Sequence, residues 1–197
     1  MNMKAIGIGI IAVLLLLGLI FALALIGIYN SLISLDQEVN AKWSEVENQY
    51  QRQADLIPNL VSIVSSAVKT ETSYVKEVIE ARTKWLNAKT TLEKEQAGFE
   101  MNQSMANFVS AIATAEAYPE LQANKQFTAL MDEVTGTQNR ITTARGRYIE
   151  SVQKFNTTIK QIPNNFIAPM LGFKEKEYYK TSQENLNTPK IGEGKLP

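Results

Sequence analysis

Cysteine and histidine are both missing from this chain. Without cysteine there is no disulfide, no thiolate nucleophile, no cysteine-ligated zinc and no attachment point for a palmitoyl or lipoprotein anchor. Without histidine the usual general base is gone, and so are imidazole metal sites and the Glu-x-x-His pairs of di-iron bundles. Charge of one sign is not in excess either, because 20 basic residues balance 20 acidic ones. A nucleic-acid binder needs a basic surplus, so no nucleic-acid partner is expected. Together these absences point away from an enzyme, and no cofactor, metal or catalytic residue set is expected.

One stretch lacks polarity altogether. From Ala5 to Ile28 nothing is more polar than glycine, and as a helix at about 1.5 Å per residue this run extends about 36 Å, enough for a bilayer core of about 30 Å. It has no polar stripe, unlike a surface helix of a soluble domain. Ala22-Leu23-Ala24 resembles a signal-peptide cleavage site after the positive Lys4. The apolar run continues beyond it through Leu25, Ile26 and Ile28, so an uncleaved transmembrane anchor is expected. Residues 1–4 form a short N-terminal segment before the 5–28 span. Gly18 and Ala22 make a small-xxx-small pair suited to helix packing in lipid. Lysine and arginine near the span are too few to fix orientation. Signal-anchor habit puts the N-terminus inside and the domain outside.

Beyond the span the pattern is helical. Leu32, Leu35, Val39, Trp43, Val46 and Tyr50 recur at helical spacing, which predicts a helix continuing out of the membrane. Proline then punctuates. Pro58 in Asp55-Leu56-Ile57-Pro58-Asn59-Leu60 predicts a helix junction, capped by Asp55 or Asn59, and a second helix from Pro58 to Ala88. A third is expected from Leu92 to Ala117. Tyr118-Pro119 marks the next link, and a fourth helix follows from Leu121 to Ile162 with Phe127, Val134, Ile141, Tyr148 and Phe155 on its stripe. The segment Phe166 to Phe173, interrupted by Pro169 and Gly172, is expected to be irregular chain lying against the bundle. Residues 181–197 read as a polar, mobile tail. The fold class is therefore all-α: an N-terminal transmembrane helix, then an antiparallel bundle of about four long helices with coiled-coil-like stripes over residues 29–180.

Several blocks, in order, carry a resemblance. Tyr29-Asn30, Ala41-Lys42-Trp43-Ser44, Asp55 to Val61, Ala81-Arg82 and Ala117 to Leu121 with Ala123-Asn124 come first. Phe127, Glu133-Val134-Thr135, Asn139-Arg140-Ile141, Ala144-Arg145, Tyr148, Phe155-Asn156, Ile162-Pro163 and Gly172-Phe173 follow. With these the chain resembles the LemA family over essentially everything after Tyr29. Gln138 departs from the acidic residue that the family has there, and Ile149 from its asparagine. The resemblance implies a single-span membrane protein of the bacterial envelope, in the cytoplasmic membrane, with a helical-bundle domain. It implies no reaction.

The candidate site residues are weighed against a structural role. Arg140 and Arg145 sit beside apolar positions, with Asp55 and Glu116 as partners from neighbouring helices, which suggests interhelical ion pairs that fix register. Trp85 falls slightly off its stripe and is the preferred exposed aromatic for an interaction surface. The leading expectation is a self-assembling membrane scaffold, a homo-oligomer whose other partner is the lipid bilayer. A monomeric adaptor docking on an envelope protease or sensor is the alternative. An enzyme built on Asp55, Glu116 and Glu133 is the third reading.

Overall fold

The structure is a computed structural model that describes residues 3–67, 73–113, 121 and 123–178. Its described helices are α1 (Met3–Ala67), α2 (Ser73–Asn87), α3 (Thr91–Ala113), α4 (Lys125–Lys160) and α5 (Asn164–Met170), with no strand among the described residues. The protein is all-α, with an N-terminal apolar helix followed by a helical bundle. Two compact units are present, one drawn from Met1–Leu35 with Val152–Pro197 and the other from Asp36–Ser151.

The unit Asp36–Ser151 is the bundle. Trp43 lies against Tyr148 with ring centroids 5.4 Å apart and Arg52 reaches Glu133, so α1 and α4 run antiparallel. Tyr74 meets Phe108 at 6.3 Å and Lys84 Nζ meets Glu100 Oε2 at 3.1 Å, which makes α2 and α3 antiparallel too. Between α1 and α3 the order is parallel: Lys94 pairs with Glu47, and Gln53 Nε2 donates to Asn102 Oδ1 at 3.1 Å. The core stripes are Val46, Tyr50, Ala54, Ile57, Leu60 and Val64 on α1, and Val75, Val78, Ala81 and Trp85 on α2. Those of α3 are Ala97, Met101, Met105, Phe108 and Ile112, and those of α4 include Phe127, Val134, Ile141 and Tyr148. Each keeps steps of three, four or seven, and so presents one face inward.

Three expected boundaries change. Pro58 does not end a helix, because α1 passes through it to Ala67. A proline inside a helix costs about 3 kcal/mol, yet Ile57, Leu60 and Val64 are buried on both sides of it and hold the helix in register. The expected second helix is accordingly shorter and begins at Ser73. The fourth begins at Lys125, where Asn124 Oδ1 accepts the backbone N–H groups of Gln126 and Phe127 and so caps the first turn. At the start of α3, Thr90 Oγ1 accepts the Glu93 N–H while Glu93 Oε2 accepts those of Lys89 and Thr90. This reciprocal capping box lowers the Glu93 pKa, first through the Lys89 N–H and then through that of Thr90.

The other unit holds the apolar part of α1, whose most apolar window has a mean hydropathy of 3.1 and no buried side chain. By length and composition this stretch can cross a membrane. Past it, Leu32 is buried, as are Val152, Phe155 and Ile159 near the end of α4. Here the expectation of irregular chain fails: residues 164–170 form α5. Pro163 is compatible with a first turn, and Gly172 at φ +86° closes the helix. The Phe173 N–H donates to the Ala168 carbonyl at 2.9 Å and the Gly172 N–H to that of Pro169 at 3.1 Å, which together make a Schellman closure. Phe173 then stands 6.3 Å from both Tyr29 and Phe155. The Asn156 amide clamps Lys176 twice, accepting from its N–H at 2.9 Å and donating to its carbonyl at 2.8 Å. Tyr179, residue 180 and the expected tail 181–197 lie outside the described residues.

Gly98 is where α1 and α3 come closest. A Cβ there would stand 2.8 Å from Tyr50 Cε2, and the Tyr50 ring is fully buried and cannot move aside. Gly98→Ala is expected to destabilise the bundle by about 1–3 kcal/mol. Gly146→Ala, whose Cβ would meet open space, should instead gain up to about 1 kcal/mol. Urea unfolding of the two variants checks both signs.

Candidate functional site

Polar side chains gather on the face shared by α1 and α4. Two open grooves lie on it. One is lined by Glu45, Asn48, Gln49, Asn139, Arg140 and Arg147, the other by Asn59, Ser62, Gln126, Leu130 and Glu133. Between them Glu133 Oε1 accepts from Arg52 Nε at 2.8 Å and from an Arg140 terminal nitrogen at 3.2 Å. Arg140 also donates to the buried Thr137 Oγ1 at 3.0 Å, which fixes its direction. Beyond the cluster Arg147 stands 3.8 Å from Glu45. These side chains are partly to half exposed, so each pair contributes at most about 1 kcal/mol and is screened by salt. A carboxylate engaged by two guanidinium groups suits a fixed charge pattern better than proton transfer. No group of three metal-ligating side chains is found among the described residues.

The residues singled out from sequence fall in different places. Arg140 is in the cluster, but its acceptor is Glu133 and not Asp55, which accepts from Gln51 Nε2 at 2.8 Å one turn away on α1. Arg145 lies on α4 with its guanidinium 5.6 Å from the Phe99 ring centroid. Glu116 lies outside the described residues. Trp85 is not an exposed aromatic: it is 2 % exposed, with the Lys94 ammonium 5.3 Å from its ring centroid. Its large apolar area favours the interior, where it shares the buried stripe of α2 with Val75, Val78 and Ala81. Gly18 and Ala22 are exposed on the apolar part of α1. The Arg52–Glu133 pair, 81 residues apart in sequence, left no local trace.

A second arrangement explains the Asp55-to-Leu60 block. Pro58 has no N–H, so the carbonyl of Ala54, four residues earlier, has no helical donor. Ala54 is fully buried, and Arg82 Nε on α2 donates to that carbonyl at 2.8 Å. An unmet buried carbonyl costs about 1–3 kcal/mol, so one cationic side chain offsets the defect and ties α2 to α1. The sequence signal was available: a proline inside an unbroken apolar stripe implies an orphan carbonyl and a donor elsewhere.

Near the other end of the bundle Tyr148 is buried against Trp43 and hydrogen-bonds Glu95, itself a buried carboxylate. Burial, then the charge of Glu95, then that hydrogen bond push the phenol well above its ordinary value. A group whose folded pKa is raised contributes stability fully below its unfolded pKa, about 10 for tyrosine, and loses it as pH rises further.

Two outcomes follow. Arg82→Met is expected to cost about 1.5–3 kcal/mol. Pro58→Ala should recover most of that loss in the Arg82→Met background, because the new N–H restores the helical bond, giving a coupling of at least about 1 kcal/mol in a double-mutant cycle. For Tyr148, the fall in stability above pH of about 10 should be shallower in Tyr148→Phe than in the parent, as read from urea midpoints along a pH series.

Comparison with known proteins agrees with this architecture. Residues 42–192 match the LemA family model. Magnetosome protein MamQ 2 and magnetosome protein MamQ 1, both of Paramagnetospirillum magneticum strain AMB-1, are 25% identical to this chain, with 86% of it and 72% of each relative covered. Magnetosome protein MamQ of Magnetospirillum gryphiswaldense is 23% identical over the same shares. The matched region runs from just before Trp43 beyond the Asn156 clamp, and so takes in both the Arg82–Ala54 tie and the Glu133 cluster; the chain belongs to the LemA family.

Proposed function

We propose that this protein is a non-enzymatic, single-pass membrane scaffold that self-associates through its bundle, in the cytoplasmic membrane of a bacterial envelope with the bundle on the outer side. The observation that carries self-association is an apolar strip left exposed on the α2–α3 hairpin. Ile79 and Leu86 stand two turns apart on α2, Leu92 follows across the turn on α3, and all three are exposed. Burying such a side chain against a second copy is worth about 1.5–3 kcal/mol. Among the described residues the bundle's charged side chains pair with one another as fixed ion pairs, as Glu133 does with Arg52 and Arg140, which supports a structural role over a catalytic one. The relatives' designation as magnetosome proteins names a structure and not a reaction, in keeping with this reading.

The polar grooves beside the Glu133 cluster favour a second reading, an adaptor whose partner inserts a polar segment there. Native mass analysis of the full-length protein, gently extracted from its membrane, separates the two. A homo-oligomer that falls to monomer in Leu86→Lys/Leu92→Lys with unchanged helicity is the expected result. The double change should weaken association by about 100-fold or more, given the burial lost. A monomeric parent protein overturns the scaffold, and a monomer carrying a foreign protein establishes the adaptor.

A further inference from the structure

The surface around α5 is apolar beyond what a water-facing segment needs. Ile162 is 81 % exposed, Phe166 67 % and Met170 86 %, with Leu171 exposed beside them. Phe166 and Met170 are spaced by four within α5 and so share one side of it, while Ala168 is buried; Ile162 is exposed just before the helix. Single exposed apolar side chains are ordinary on any protein, but four within ten residues, on and flanking so short a helix, are not.

Where this patch lies decides what covers it. The apolar run of α1 ends at Ile28, and Tyr29 is the next residue, the position where aromatic side chains sit at headgroup level. Phe173 lies 6.3 Å from the Tyr29 ring, and its N–H is bonded to the Ala168 carbonyl of α5. At about 1.5 Å per residue α5 is only about 10 Å long, so its side chains stay close to the level of Tyr29. The Phe155 ring, 6.3 Å from that of Phe173, and the Asn156 clamp on Lys176 hold the returning chain in place.

We infer that α5 is an in-plane membrane contact: Ile162, Phe166, Met170 and Leu171 insert into the lipid interface of the leaflet from which α1 emerges. The occupant is the bilayer itself, because the patch is continuous with the span through the Tyr29–Phe173 contact. Interfacial helices bury an apolar face about 5–10 Å into the headgroup–acyl boundary. A segment as short as α5 would not do so alone, but α1 already holds it at the surface, so the ordinary cost of bringing it there is absent. The consequence is a second point of attachment that sets the depth at which α1 leaves the bilayer. This inference rests on the reading that the apolar part of α1 crosses the membrane.

The absence of cysteine permits a clean test. Full-length F166C, M170C, L17C and Q153C proteins, each carrying one environment-sensitive fluorophore, are reconstituted into phosphatidylcholine–phosphatidylglycerol vesicles and checked for unchanged helicity. Quenching by lipids with a nitroxide on the acyl chain is compared with quenching by aqueous iodide. Labels at 166 and 170 are expected to be quenched by the lipid nitroxide about threefold or more strongly than the label at 153, and to be shielded from iodide. Iodide quenching at 166 and 170 equal to that at 153, with the label at 17 in lipid, overturns the inference and leaves the span intact. Shielding from both quenchers at 166 and 170 also overturns it, because protein and not lipid then covers the patch. A label at 17 that is open to iodide overturns both the inference and the span.

Discussion

One backbone carbonyl organises the bundle. Because Pro58 cannot donate, the Ala54 oxygen is an orphan in the interior of a helix, where water cannot reach it. Arg82 supplies the missing donor from α2. The position of α2 is thereby tied to a single point on α1, with a directional bond that apolar packing alone would not provide. Replacing the proline by a residue with an N–H would remove the need for the arginine, and replacing the arginine would expose the defect. The two positions belong to one device.

Gly98 acts on the same stretch of α1 by omission. Its missing Cβ lets the Tyr50 ring lie flat between α1 and α3, so that these helices approach where a side chain would hold them apart. An arginine reaching in and a glycine making way thus bring two different neighbours against the same stretch of α1. Charge on the α1–α4 face then adds pattern without much stability, since Arg52, Glu133 and Arg140 remain partly in water.

Most of this architecture could be read along the chain, since apolar steps of three and four persist through α1 to α4 and the uncharged run at the start is long enough to cross a bilayer. The failures have physical causes. Pro58 carries the strongest local stop signal available, but burial of Ile57, Leu60 and Val64 on either side outweighs it. α5 was hidden by Pro169 and Gly172, although a proline is tolerated in so short a helix and a glycine is what its Schellman closure requires. Trp85 was misplaced because α2 has apolar residues on two faces: Val78 and Trp85 point inward, while Ile79 and Leu86, each one residue later, remain exposed. Periodicity alone cannot choose between adjacent stripes; packing of α2 against its neighbours does. Among the candidate site residues, Arg140 was found but its acceptor was not, because pairing across 81 residues is set by helix register and leaves no local pattern.

Register is also where the buried polar groups belong. An interior of leucine, valine and methionine alone would let α1 and α3 slip by a turn at modest cost, since one apolar contact replaces another. Gln53 and Asn102 meet only in the observed alignment, and Tyr148 reaches Glu95 only when α4 stands opposite the same turn of α3. A slip of one turn would separate both pairs and leave several buried polar atoms unmet, at about 1–3 kcal/mol each. Four amphipathic helices with interchangeable apolar faces therefore have one favoured alignment, and the polar atoms inside the bundle select it.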